Sequence, residues 1–161
     1  MEPVEVIAQI STPENDPRFR DVESDVAFTL RFPSGALAHC YTSYAAHERG
    51  DMQVLGTQAT ADLQNAFAYE GQRLSINRLE GQAVITAEIS KPHHDQFALE
   101  IDHFAECVRS GSRPRTPGEE GVQDQVIMAA IYESARTRRP VALPRIEGRD
   151  PFRGAEPSPP G

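Results

Sequence analysis

Residues 25–44, "DVAFTLRFPSGALAHCYTSY", decide the fold. In the first half Val26, Phe28, Leu30 and Phe32 fall on one face of an extended chain, and Ala27, Thr29 and Arg31 on the other. In the second half Leu37, His39, Tyr41 and Ser43 oppose Ala36, Ala38, Cys40, Thr42 and Tyr44. The "PSG" between them supplies turn residues. Two period-2 runs around a Pro/Gly turn predict a long β-hairpin.

The rest of the first half follows the same pattern. "VEVIAQI" (residues 4–10) alternates, and the Pro- and charge-rich "TPENDPRFRDVES" after it is loop. "MQVLG" and "ATADL" flank "TQ" as a second hairpin, and "QRLSINRL" and "AVITAEI" flank "EGQ" as a third. Tight connections between all these strands imply an antiparallel sheet, since parallel neighbours need longer crossovers.

The second half has helical spacing. From Asp95 to about Arg109, Phe97, Ile101, Phe104, Ala105 and Val108 recur as one helix face, which is expected to be buried. "TPGEEG" then predicts a helix start with Thr116 as N-cap, Pro117 at the first helical position and Glu119 closing a capping box. That helix is expected to run to about Thr137. It is apolar on two sides, Val122, Val126 and Ala129 on one and Ile127, Met128, Ile131 and Ala135 on the other, as for a helix wedged between a sheet and something else. "PVAL" is expected to form a last short strand. Strands first and helices after give an α+β class: an open, predominantly antiparallel β-sheet with helices on one face. The domain spans residues 1–143, and the Pro/Gly-rich residues 144–161 are expected to be a disordered tail. The uncovered face of "AFTLRF" and "LAHCYTSY" carries apolar and aromatic groups, so it is expected to meet a partner, with a homo-oligomer through this face as the leading form.

Composition narrows the function. Of 161 residues, 39% are apolar and 25% charged, as in soluble globular chains. No apolar run spans a bilayer, and "MEPVEVIAQI" lacks the features of a signal peptide, so a cytoplasmic protein with no membrane contact is expected. Residues 1–135 carry a net charge of −11 and residues 136–161 a net of +3. An acidic body repels phosphate backbones, so nucleic acid is not an expected partner. Cys40 and Cys107 are expected to be free thiols.

The densest cluster of chemistry-bearing residues is "SKPHHDQFALEIDHF" (residues 90–104), with three histidines and the only lysine. His93 and His94 are neighbours that point apart in an extended chain, and His103 lies about 13 Å further along a helix, so one metal cannot collect all three. His103, on the flank of the apolar stripe, is expected to hydrogen-bond a backbone carbonyl or an acid at a packing seam. Lys91 belongs to a solvated turn. His93 and His94 precede a helix N-terminus, where free N–H groups favour anionic or polar ligands. With Gln96 they form a plausible wall of a sugar pocket. No GxGxxG, GxxxxGK[ST] or GxSxG motif is present, so the chain has no self-contained catalytic machinery.

"FTLRFPSGALAHCYTSY", "MQVLGTQATADL" and the run from residue 97 to 141, with E-I-D-H-F, P-x-T-P-G-E-E-G and I-Y-E-S-A-R-T in that order, resemble the C-terminal domain of the Gfo/Idh/MocA oxidoreductase family, in its glucose–fructose oxidoreductase branch. The likeness covers residues 4–143. It implies a substrate-binding and oligomerisation domain of an NAD(P)-dependent sugar or polyol oxidoreductase whose Rossmann domain, with its catalytic E-K-P lysine, lies outside this chain. This chain alone is then expected to bind no cofactor, to hold no catalytic residue and to be inactive, with a separate Rossmann-domain chain as a further partner. Lys91-Pro92 stands in the wrong place to take the E-K-P role. The residues matching pocket positions are Gln96 and Phe97, with His94 and His93 beside them. Family members can carry a tyrosine at the Phe97 position, and the helical periodicity equally makes Phe97 a core residue. The family's A-R-T-G-R-P-V ending has glycine where this chain has Arg138, which costs roughly 1 kcal/mol if the position is left-handed. The alternative is a stand-alone, non-catalytic self-association or sugar-binding module derived from the same domain.

Overall fold

The computed structural model describes residues 2–90, 94–146 and 153–155. The strands are β1 (Glu5–Ser11), β2 (Asp25–Arg31), β3 (Leu37–Ser43), β4 (Met52–Leu55), β5 (Ala59–Gln64), β6 (Arg73–Glu80), β7 (Ala83–Ile89) and β8 (Val141–Ala142). The long helices are α1 (Gln96–Ser110) and α2 (Gly118–Thr137). Every strand pairing is antiparallel. The α+β class and the three expected hairpins are all present. The strands are hydrogen-bonded in two sets of four, β3-β2-β1-β8 and β4-β5-β6-β7. The chain correspondingly divides into two compact units, residues 1–46 with 103–161 and residues 47–102.

In the first unit the β2–β3 hairpin closes through residues 32–36. The Phe32 N–H donates to the Ala36 carbonyl at 3.0 Å, and Gly35 takes φ +87°, a conformation that favours glycine. The register puts Val6, Leu30 and Ala38 in one row and Ala8, Phe28 and Cys40 in the next, all on one sheet face. Helix α2 packs on that face. Its Ala130 and Ile131 meet Val6, Ala8, Val26 and Leu143, with Ile127, Ala135, Phe28 and Val141 around them. A buried polar contact runs through this core: the Ser134 hydroxyl accepts the Ala8 N–H at 2.9 Å and donates to the Arg139 carbonyl at 2.7 Å. The opposite sheet face carries paired polar side chains, Glu5–Arg31 and Thr29–His39, beside the exposed Ile7, Leu37 and Tyr41.

Both ends of α2 are informative. The expected capping box is absent: Pro117 is the N-cap, extended at ψ 167°, and no side chain caps it. Because Pro117 is itself extended, the helix begins one residue later than the motif suggests and Thr116 lies too far back to cap it. Glu119 and Glu120 in the first turn compensate by facing the positive end of the dipole. At the other end Arg138 is left-handed (φ 56°, ψ 35°), and its N–H closes the helix on the Ser134 carbonyl.

The apolar stripe of α1 is not buried as the periodicity suggested. Ile101 and Val108 are 68% and 69% exposed, Phe97 and Phe104 about half, and Cys107 is the buried residue of the helix. An amphipathic stripe fixes which face seeks a partner but not what covers it.

In the second unit the sheet has two unlike faces. Met52, Val54, Leu63, Leu74, Ile76, Ile85 and Ile89 fall on one. On the other, Gln53 donates to Asp62 at 2.5 Å, Asn77 to Asp62 at 3.1 Å and Thr86 to Asn77 at 2.7 Å, a polar row across all four strands. Among the described residues no helix is long and apolar enough to cross a membrane.

Candidate functional site

The second unit holds the start of α1, where the sequence placed its candidate sugar contacts. Asp95 is the N-cap of the helix. Its Oδ1 accepts the N–H groups of Phe97 at 3.0 Å and Ala98 at 3.2 Å, which stops the helix fraying and fixes Gln96 as its first residue. His94 and Gln96 are exposed beside this cap. His93 and Lys91 lie outside the described residues.

Phe97 is half exposed and meets Tyr69 edge to face, with ring centroids 5.1 Å apart and planes at 70°. Tyr69 itself is 68% exposed. It comes from the β5–β6 connection, which sequence reasoning left unassigned. That loop is tightly built. Asn65 is left-handed at φ 52°, its side chain donates to the Gly71 carbonyl at 3.1 Å, and its N–H donates to Asp51 Oδ1 at 3.1 Å. Phe67, in the same loop, lies against Gly50. The signal was present in "NAFAYEG": two aromatics framed by asparagine and glycine, both tolerant of left-handed backbone.

Asp51 anchors the loop from below. It takes the Arg49 guanidinium at 2.6 Å as well as the Asn65 N–H. These contacts, Arg49 first and then the Asn65 amide, hold its carboxyl below the usual carboxylate range.

His103 is elsewhere, in the first unit. Its Nε2 accepts the Arg115 N–H at 3.0 Å and lies 3.7 Å from Cys107 Sγ. It therefore packs at a seam as expected, but with an amide donor in place of a carbonyl or acid. Accepting through Nε2 places the proton of the neutral ring on Nδ1. Among the described residues no three His, Cys, Asp or Glu side chains group closely enough to hold a metal ion.

Chemically, the α1 start can do a limited set of things. The aromatic pair offers apolar ring surface, and Gln96 offers one donor and one acceptor function. The cap carboxylate of Asp95 already occupies the free N–H groups that an anion would use. The first turn of α2 carries Glu119 and Glu120. Both long helix starts thus hold carboxylates at the positive end of the dipole, and every strand pairing among the described residues is antiparallel.

Comparison with known proteins agrees with the fold and adds a chemical context. A family model described as "Oxidoreductase family, C-terminal alpha/beta domain" matches residues 2–143. The D-xylose 1-dehydrogenase (NADP(+)) of Haloarcula marismortui is 31% identical over 144 residues, 88% of this chain and 38% of that protein. The scyllo-inositol 2-dehydrogenase (NAD(+)) of Bacillus subtilis is 26% identical over 129 residues, 78% of this chain and 36% of that one. Among solved structures, aldose-aldose oxidoreductase from Caulobacter crescentus complexed with glycerol superposes with a TM-score of 0.79 at 35% identity, over 88% of this chain and 42% of that chain. The chain thus spans about two fifths of the length of the relatives it matches.

Proposed function

The chain belongs to the Gfo/Idh/MocA oxidoreductase family as a C-terminal α/β domain, and from that premise we propose that it supplies the sugar- or polyol-facing wall of an NAD(P)-dependent oxidoreductase. The observation that carries this reading is the Phe97–Tyr69 pair beside the Asp95-capped start of α1. A neutral polyhydroxylated ligand suits this place. Its C–H face packs on aromatic rings, its hydroxyls bond Gln96, and it needs no charge partner where the helix dipole is already met. An anionic substrate would face the Asp95 carboxylate instead.

The nicotinamide, as hydride carrier, belongs to a part of the enzyme other than this domain, either preceding it or in a partner chain. What this chain contributes is orientation and exclusion of water at the sugar, without a proton-transfer group of its own.

We also assign self-association to this domain; the sequence pattern points to the open face of the β2–β3 strands, and the β4–β7 sheet offers a second, more apolar candidate. In the β4–β7 sheet Met52 and Val54 are each 52% exposed on a face that also carries Leu63, Leu74 and Ile76, with Arg78 and Glu80 at one end, an apolar centre with a charged rim.

Calorimetric titration of the purified chain with NADH and NADPH, alongside a sugar-oxidation assay, tests the division of labour. No nucleotide binding and no turnover are expected. Nicotinamide-dependent turnover by this chain alone contradicts the reading.

A further inference from the structure

Residues 153–155 lie along the α1–α2 connector. The Gly154 N–H donates to the Pro114 carbonyl at 2.9 Å, and Arg115 Nη1 donates to the Gly154 carbonyl at 3.1 Å. Arg153 forms an ion pair with Glu120 in the first turn of α2. The fit requires glycine. A Cβ on Gly154 would run into the Arg113 carbonyl oxygen and sit 2.6 Å from that of Pro114, both backbone atoms that cannot swing aside.

The same connector holds α1. The backbone N–H of Arg115, whose side chain grips Gly154, donates to His103 Nε2 at 3.0 Å. His103 in turn lies 3.7 Å from the Sγ of Cys107, a residue only 4% exposed. Gly154, Arg115, His103 and Cys107 thus form one continuous line of contacts within the first unit.

We propose that residues 153–155 are a strap that pins the connector and, through Arg115 and His103, keeps the Cys107 thiol closed off from solvent. The strap is a local device. Its contacts touch the connector and the first turn of α2, whereas the core at Val6, Ala8 and Ile131 is built from other residues. Undocking raises the local opening rate of the connector without unfolding the sheet. The Glu120 carboxylate makes undocking costly. Among the described residues its buried Oε2 has no hydrogen-bond partner, and Arg153 is the ion-pair partner of the group. Loss of Arg153 therefore leaves a largely buried carboxylate poorly compensated.

The test uses the full chain with Cys40→Ser, so that Cys107 alone reports, and measures its rate of modification by an aromatic disulfide reagent. Gly154→Val and Arg153→Glu should each accelerate labelling about tenfold or more, while Ala155→Ser, at an exposed position, stays within about twofold of the parent. Hydrogen exchange at the Val6 and Ala8 amides, read in parallel, should not change. Labelling of both strap variants within twofold of the parent overturns the proposal. Loss of protection at Val6 and Ala8 as well also overturns it, because the contact is then a support of the whole fold.

Discussion

The Ser134 hydroxyl accepts the Ala8 N–H at 2.9 Å, joining α2 to β1 inside an otherwise apolar core. The two residues stand 126 positions apart and are both buried. Beyond the two-residue strand β8, which pairs only with Glu5 and Val6, the outward N–H of β1 at Ala8 has no ladder partner. Ser134 supplies one. Ser134→Ala should cost about 1–3 kcal/mol, because it leaves the buried Ala8 N–H and the Arg139 carbonyl unpaired. Urea unfolding checks the loss, and an unchanged midpoint would show that water replaces the hydroxyl.

Arg138 takes the left-handed conformation that ends α2. A side chain there is strained, and glycine is not, so Arg138→Gly should stabilise the chain by about 1 kcal/mol despite the greater freedom glycine gives the unfolded state. Thermal unfolding measures this. A destabilised variant would mean that the Arg138 side chain makes a compensating contact.

The aromatic loop should depend on pH through Asp51. Its folded pKa is depressed by Arg49 and the Asn65 amide, so its contribution is complete above the ordinary aspartate range near about 4 and is lost as pH falls through the lower folded value. Amide exchange at Asn65 should stay slow from neutral pH to about 4 and quicken below it. Asp51→Asn should remove the transition. Loop release well above that range would point to another group.

Self-association should fail when charge is placed on the apolar face of the β4–β7 sheet. Val54 is half exposed there, so Val54→Asp leaves the monomer folded while burying a carboxylate in any face-to-face contact. Sedimentation should show the parent associated at micromolar concentration and the variant weakened by about tenfold or more. A monomeric parent contradicts the assignment of this face.

Alternation and turn chemistry made the hairpins legible in the sequence, because a strand's faces are fixed by period two and its ends by Gly and Pro. The periods of α1 and α2 were equally plain, but periodicity gives a face and not its occupant. For that reason Ile101 was expected to be buried, and Phe97 to be a core or a pocket residue, whereas Ile101 is largely exposed and Phe97 half exposed. The capping box at Thr116 failed for a local reason, the extended Pro117. Ser134 could not be foreseen, since a serine on a helix announces nothing about an amide 126 residues away. At the site, Gln96 and Phe97 were legible from their place at the start of α1, and Tyr69 was not, because it arrives through a loop whose shape rests on Asn65 and Asp51.

The proposed function stands on the Phe97–Tyr69 pair at the start of α1 facing a neutral polyhydroxylated ligand. Heteronuclear NMR titration of the full chain with D-xylose and glycerol, against D-gluconate as the anionic comparison, tests it most directly. Saturable shifts centred on Gln96, Phe97 and Tyr69 are expected at about millimolar affinity for the neutral compounds, weaker for gluconate and lost in Phe97→Ala. Shifts that fail to saturate, or tighter binding of gluconate, would contradict it.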